Sequence, residues 1–516
     1  MNRPCKMTKK HIYIIETIIA TLLIAVVIFT FISLVHLPKK FETSSNQVEI
    51  FPDYTNITVP LNIAPLNFEI KHKGNKHIAV FSNGNYNFKV KSKKGQISIP
   101  ARKWKKLISK NNPQQYSVDI YTQTNDKTWQ KYPSIQNVIS ADTIDSHIVF
   151  RHIDAGYILW GDMGIYQRNL ENFKKTPVLL NKTTDNNCMN CHTFYKNDPS
   201  KMLIHLRGDP SGTLLFNNGE VSFINTKTDY TMSAGVYPSW HPNGNIVAFS
   251  VNLINQKFHT AGNEQINVYD RASDIITYNI DKNEVSTSPL LSTKSLENLP
   301  NWSPDGKYLY YISSDASSPQ IKTENVKYSL LRIAYNETSN TWGETDTLLR
   351  ASDTGKSISF PEVSPDGKKL IFCMADHGYF TIHRTSSDLY IMDLETFEYK
   401  PIDIANSEYT ESYHSWSSNS KWFLFVSKRV DGLYSNVFFS HIDENGNISK
   451  PFLMPQKHSS FYQSSTLNYN RPTFIKEKVK ARSYQLSQKA FNRVINTHFD
   501  EKVDIDALSG ATQIKN

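Results

Sequence analysis

Alternation of apolar and polar residues, rather than helical periodicity, runs through the chain after residue 48. Short runs such as Asn67-Phe68-Glu69-Ile70, His77-Ile78-Ala79-Val80-Phe81 and Tyr86-Asn87-Phe88-Lys89-Val90 are separated by Gly, Asn and Pro at hairpin-like intervals. They predict a small β-sandwich over residues 49–150. From residue 205 the pattern repeats. Trp240-His241-Pro242-Asn243-Gly244, Trp302-Ser303-Pro304-Asp305-Gly306, Val363-Ser364-Pro365-Asp366-Gly367 and a degenerate Trp416-Ser417-Ser418-Asn419-Ser420 each precede an apolar run. Proline presets φ and glycine supplies a positive φ, so each phrase reads as a tight turn feeding a buried strand. Their third positions stand 62, 61 and 53 residues apart. A period of that size predicts one sheet per repeat, arranged radially over 205–475, with weaker repeats at 205–223 and 438–452.

One stretch breaks the alternation. Residues 17–37 are uncharged and strongly apolar. As a helix they reach roughly 30 Å, the thickness of a hydrocarbon core. Arg3, Lys6, Lys9 and Lys10 precede the run, so the positive-inside rule keeps residues 1–11 cytoplasmic and exports the chain beyond residue 37. The expectation is a single transmembrane signal anchor over 12–37 in the inner membrane, with the bulk of the chain periplasmic. A cleaved signal peptide is the competing reading; the run is long for one, and no small-x-small site follows it.

Composition adds less. A chain of 516 residues exceeds one ordinary core, and 27 Tyr with 27 Phe suit a β-rich protein. The formal charge is +9, and 71–110 holds twelve Lys or Arg with no Asp or Glu. Such a run reads as a solvated face, or as a surface toward anionic lipid or an acidic redox partner. Nothing in it favours nucleic acid. The four cysteines, Cys5, Cys188, Cys191 and Cys373, leave no disulfide framework.

Two of them carry the chemistry. Asn187-Cys188-Met189-Asn190-Cys191-His192 reads Cys-x-x-Cys-His, the spacing at which two thiols add to haem vinyl groups and the histidine meets the iron. No second Cys pair supports a zinc site. The expected cofactor is covalent haem c, bound by Cys188 and Cys191 with His192 as proximal ligand. Residues 151–204 read as the haem-binding connector. Met202 and His205 are the nearest candidates for the sixth ligand, with Met232 and His241 further off, and Arg207 or Arg168 could pair with propionates.

The Trp-Ser-Pro-Asp-Gly-Lys-x-Leu-x-Tyr phrase resembles the TolB-like β-propeller repeats, and with the haem motif the chain resembles exported TolB-like proteins of the Bacteroidetes. The resemblance implies a propeller of about six blades and supplies no catalytic residues. Near the end, Asp506-Ala507-Leu508-Ser509-Gly510-Ala511-Thr512 is similar to the sequence at which FMN is joined to a threonine in a flavin-carrying component of the sodium-pumping quinone reductases. That similarity implies covalent FMN at Thr512. Only four residues follow Thr512, and 480–504 is too short for that family's usual flavin domain. The expected fold is mainly β: one transmembrane helix, a β-sandwich, a propeller and a tail at 476–516. The expected function is electron transfer by a membrane-anchored monohaem cytochrome with an unidentified redox partner. The alternative is a propeller that binds envelope proteins, peptides or glycans around a structural or vestigial haem site. No Ser-His-Asp set or carboxylate pair points to an enzyme.

Overall fold

The computed structural model describes residues 16–18, 21, 36–84, 86–109, 114–154, 162–259, 262, 264–315 and 323–510. The expected anchor lies almost wholly outside these residues. Among those described, no helix is long and apolar enough to cross a membrane.

The N-terminal part builds two sheets. Seven strands from Glu42–Thr43 to Ile135–Ser140 form one, and Ile50–Phe51, Phe68–Ile70 and Gln96–Ile97 form the other. The alternation places Ala79, Phe81, Phe88, Val118 and Ile120 of the larger sheet in one core with Ile50, Phe68 and Ile97 of the smaller. Trp104, fully buried, plugs this core from the helix Ala101–Leu107 and donates its indole N–H to the Ile63 carbonyl at 2.9 Å.

The rest of the strands form six sheets, antiparallel except for two added edge strands and here called blades. Blade 1 takes its innermost strand, Leu467–Ile475, from the C-terminal part and its outer three, His147–Asp154, Gly164–Asn169 and Lys175–Leu180, from far upstream. Blades 2 to 6 begin with the innermost strands Cys188–Tyr195, Val236–Trp240, Leu296–Trp302, Ser357–Val363 and Glu411–Trp416. Neighbouring innermost strands meet, and Leu467–Ile475 packs against both Glu411–Trp416 and Cys188–Tyr195, which closes a propeller-like ring.

Three expectations change here. Residues 151–204 are not a connector: their alternating runs satisfy their backbone groups in blades 1 and 2, so the ring begins at His147 rather than at 205. Residues 438–452 complete the fourth phrase's own blade instead of starting another. Nor does the chain trail free after 475. Helix Ser483–Ala490 packs on blades 1 and 2, and Ile495–Asn496 and His498–Phe499 add parallel edge strands to blades 2 and 3.

The turns take the form their residues dictate. Ser303 Oγ donates to Asp305 Oδ1 at 2.6 Å, and Gly306 N–H donates to the Ser303 carbonyl at 2.9 Å. Ser364, Asp366 and Gly367 repeat the arrangement. Both glycines are left-handed, with φ of 75° and 74°. A Cβ on Gly306 would fall 2.4 Å from His241 Nε2, whereas none of its neighbours would approach one on Gly367 within 4 Å. Gly367→Ala is therefore expected to cost about 1–2 kcal/mol from backbone strain alone. Gly306→Ala should cost visibly more, because the His241 bond to the Gly306 carbonyl must also move. Urea denaturation of the two variants side by side checks the order.

Candidate functional site

Cys188, Cys191 and His192 stand on the innermost strand of blade 2. Its register runs Cys188–Arg207, Asn190–His205, then His192–Ile204, so one residue is extra. That residue is Cys191, whose φ of 45° is left-handed. It is a β-bulge, which interrupts the regular alternation of faces. Burial pushes the Cys188 thiol up, against the pull of the Arg151 and Arg207 guanidiniums, and Cys191 is near enough to push it further.

The bulge is not peculiar to the motif. Tyr237, Leu299, Phe360, Tyr413 and Arg471 are left-handed too, with φ of 51°, 53°, 50°, 48° and 43°. Each falls at the register break of its own innermost strand. Cys191-His192-Thr193-Phe194 thus occupies the frame of Tyr237-Pro238-Ser239-Trp240 and Tyr413-His414-Ser415-Trp416. The haem-type motif is written onto a blade's ordinary inner-strand phrase.

His192 shares a structural role with its counterpart. Its Nε2 lies 3.3 Å from the Val149 carbonyl on the second strand of blade 1. His414 Nε2 lies 2.9 Å from the Ile371 carbonyl on the second strand of blade 5. Each ring donates a hydrogen bond back to the preceding blade. Burial drives His192 down to about 3 and His414 to about 4. Both are neutral at pH 7, and a neutral imidazole keeps one unprotonated nitrogen.

Two cavities meet near the ring axis, and His192 borders both. The first, about 180 Å³, is lined by Cys191, Tyr237, Tyr413 and three arginines, Arg151, Arg207 and Arg471, with an aliphatic wall that includes Ile254 and Val268. Arg151 donates through Nη1 to the Met189 carbonyl at 3.0 Å and to Asn190 Oδ1. Its buried Nε has no partner among the described residues. Arg471 pairs with Glu362 at 3.2 Å and lies over the Phe360 and Tyr237 rings. The second cavity, about 420 Å³, is lined by Trp240, Trp302, Trp416, Glu362 and His414.

A porphyrin is a flat apolar plate carrying two carboxylates. One lining thiol, Cys191, the adjacent neutral His192, an aliphatic wall and three guanidiniums fit that donor chemistry, whereas Cys188 packs at the edge of the core between blades 1 and 2 and does not line the cavity. If Nε2 is the nitrogen that meets iron, it must give up the Val149 carbonyl. Among the described residues, no group of three or more His, Cys, Asp or Glu is arranged to hold a bare metal ion.

The other sequence candidates are scattered. Met202 lies in the apolar core between blades 1 and 2, and His205 Nδ1 is 3.0 Å from Thr213 Oγ1; neither lines the cavity of Cys191. Met232 packs in the core of blades 2 and 3, and His241 is bonded to Gly306. Arg168 does not line the cavity of Cys191: it is buried in blade 1, donating to Gln456 Oε1 at 2.6 Å and to the Pro455 carbonyl. Thr512 lies outside the described residues; just before it, Gly510 N–H donates to the Ser292 carbonyl at 3.1 Å. Arg151, Arg471 and His383, which also lines the cavity, were not foreseen. The signal that could have found Arg471 is the Arg471-Pro472 dipeptide, in step with Tyr237-Pro238 and Phe360-Pro361.

No protein-family model matches the chain, and no curated protein matches it. Solved structures similar to it include the tricorn protease (13% identity, TM-score 0.32), over 66% of this chain and 34% of that one. Others are a puromycin-hydrolysing peptidase of Mycobacterium tuberculosis (10%, 0.33; 67% and 52%) and the periplasmic gluconolactonase of Pseudomonas aeruginosa (12%, 0.31; 63% and 99%). The chain thus spans about a third of the tricorn protease and half of the peptidase. The ring is read from its own sheet order, not from these likenesses.

Proposed function

We propose that the chain is an exported, membrane-anchored monohaem c-type cytochrome built on a propeller, which passes electrons to or from a partner protein. The observation that carries the proposal is the convergence of Cys191 and His192 with Arg151, Arg207 and Arg471 on one cavity. Cys188 and Cys191 would hold the haem through thioethers, and His192 would offer a neutral nitrogen to its iron. When bound, the haem supplies one-electron chemistry.

The protein's own contribution is burial and charge. The three guanidiniums favour two carboxylates at the cavity, and the surrounding core excludes water from one side, both of which tune a redox potential. The test is a pyridine haemochrome spectrum of the full chain, purified after expression with haem-maturation machinery. One haem per chain, retained after denaturation, is the expected result. Haem-free protein from cells that mature a control cytochrome would end the proposal.

A further inference from the structure

The larger N-terminal sheet has a second face, turned away from the core, and its residues follow from register. Ile78 stands opposite Lys91 and Tyr121, and Val80 opposite Lys89 and Asp119. Lys76 stands opposite Gln123, which stands opposite Trp129, while Tyr121 stands opposite Lys131. Residues directly opposite share a face. The outward face thus carries Lys76, Lys89, Lys91 and Lys131 around Ile78, Val80, Tyr121 and Trp129, which pack together as a small apolar cluster of their own. Asp119 is the acid on it, and it pairs with Lys131 at 3.5 Å.

Phe41 ties this face to the start of the chain. It is 45% exposed, and its ring meets Tyr121 edge-on at 5.4 Å. Phe41 follows the last residue of the apolar run, Leu37, by four residues. Four residues span at most about 14 Å. If 17–37 cross a membrane, this face is held within that distance of the headgroups. Lysines beside the exposed Phe41 ring, around an apolar cluster in which Ile78, Val80 and Tyr121 are themselves buried, are the composition of a surface that sits at a membrane interface.

We propose that this face docks on the anionic headgroups of the bilayer in which the anchor is embedded, and so fixes the orientation of the ring and its cavity above the membrane. The inference rests on the anchor reading given under the proposed function. Charge complementarity selects lipid headgroups over an apolar partner, and the short tether selects the chain's own bilayer over a distant surface.

The test uses the full chain in nanodiscs of phosphatidylcholine, with and without phosphatidylglycerol, and reads amide hydrogen exchange. Residues 76–92 and 119–131 are expected to exchange at least tenfold more slowly over anionic discs, with the difference lost at 0.5 M salt. The combined variant Lys76→Gln, Lys89→Gln, Lys91→Gln and Lys131→Gln, on solvent-facing positions, should remove the difference while the ring's own protection stays unchanged. Equal exchange on both lipids would overturn the docking, as would protection that appears only when host periplasmic proteins are added. Carbonate extraction of the same chain from cell membranes separates the two ideas. A chain that washes off disproves the anchor, and one that stays but shows no lipid-dependent protection disproves the docking alone.

Discussion

Replacing Cys188 and Cys191 together by alanine is expected to abolish haem staining of the denatured chain while leaving its far-ultraviolet circular dichroism unchanged. Thioether attachment requires both thiols, so staining under denaturing conditions reports the covalent bonds themselves. The fold should tolerate the change. Cys191 is half-buried on a bulge whose left-handed backbone an alanine adopts at a similar cost, and Cys188 sits at the edge of a core rather than in its centre. His192→Ala is a different perturbation. It removes the nitrogen offered to iron, so the spectrum of the attached haem should change, and it strands the Val149 carbonyl. His414→Ala supplies the control. The same slot in blade 6 loses the same kind of hydrogen bond, to Ile371, with no haem near it by this reading. Both histidine variants should lose about 2–4 kcal/mol of stability from a cavity and an unpaired carbonyl. Only His192→Ala should alter the haem spectrum. If His192→Ala keeps the wild-type spectrum, His192 is a blade-bridging residue and not a ligand.

The sequence shows the strand-and-turn grammar well, because period-two alternation and Pro-Asp-Gly turns are local signals. Asp305, Asp366 and Asn419 each accept the bonds their turn type requires. What it hides is long-range. Blade 1 is assembled from His147–Asp154 and Leu467–Ile475, more than three hundred residues apart, and no local pattern announces that pairing. The same blindness placed Cys188–His192 in a connector. The motif drew attention to its thiols, and its equivalence to Tyr413-His414 and Tyr237-Pro238 becomes plain only when the six bulges are seen around one axis. Arg151 reaches the cavity with no phrase to mark it, and Arg471 is marked only by the proline that follows it.

The largest loss of stability is expected from Phe474→Ala, because Phe474 lies where the two ends of the ring are joined. Its side chain is fully buried on the closing strand, with its ring 5.9 Å from that of Phe439 in blade 6. Across the strand it stands opposite Ile148, which belongs to the upstream half of blade 1. Truncating a buried phenylalanine costs about 3–5 kcal/mol in lost burial and residual cavity. The net stability of a domain is only about 5–15 kcal/mol, so this one change should bring the ring close to its unfolding threshold. Loosening Leu467–Ile475 would expose the edge of His147–Asp154 with which it pairs, and exposed strand edges recruit other chains. The expected result is a midpoint shifted far to low urea, with aggregation on heating. Tyr399→Ala, on the outermost strand of blade 5 where the ring is 40% exposed, should stay within about 0.5 kcal/mol of the parent. Equal losses at the two sites would mean that the C-terminal strand does not hold the ring closed.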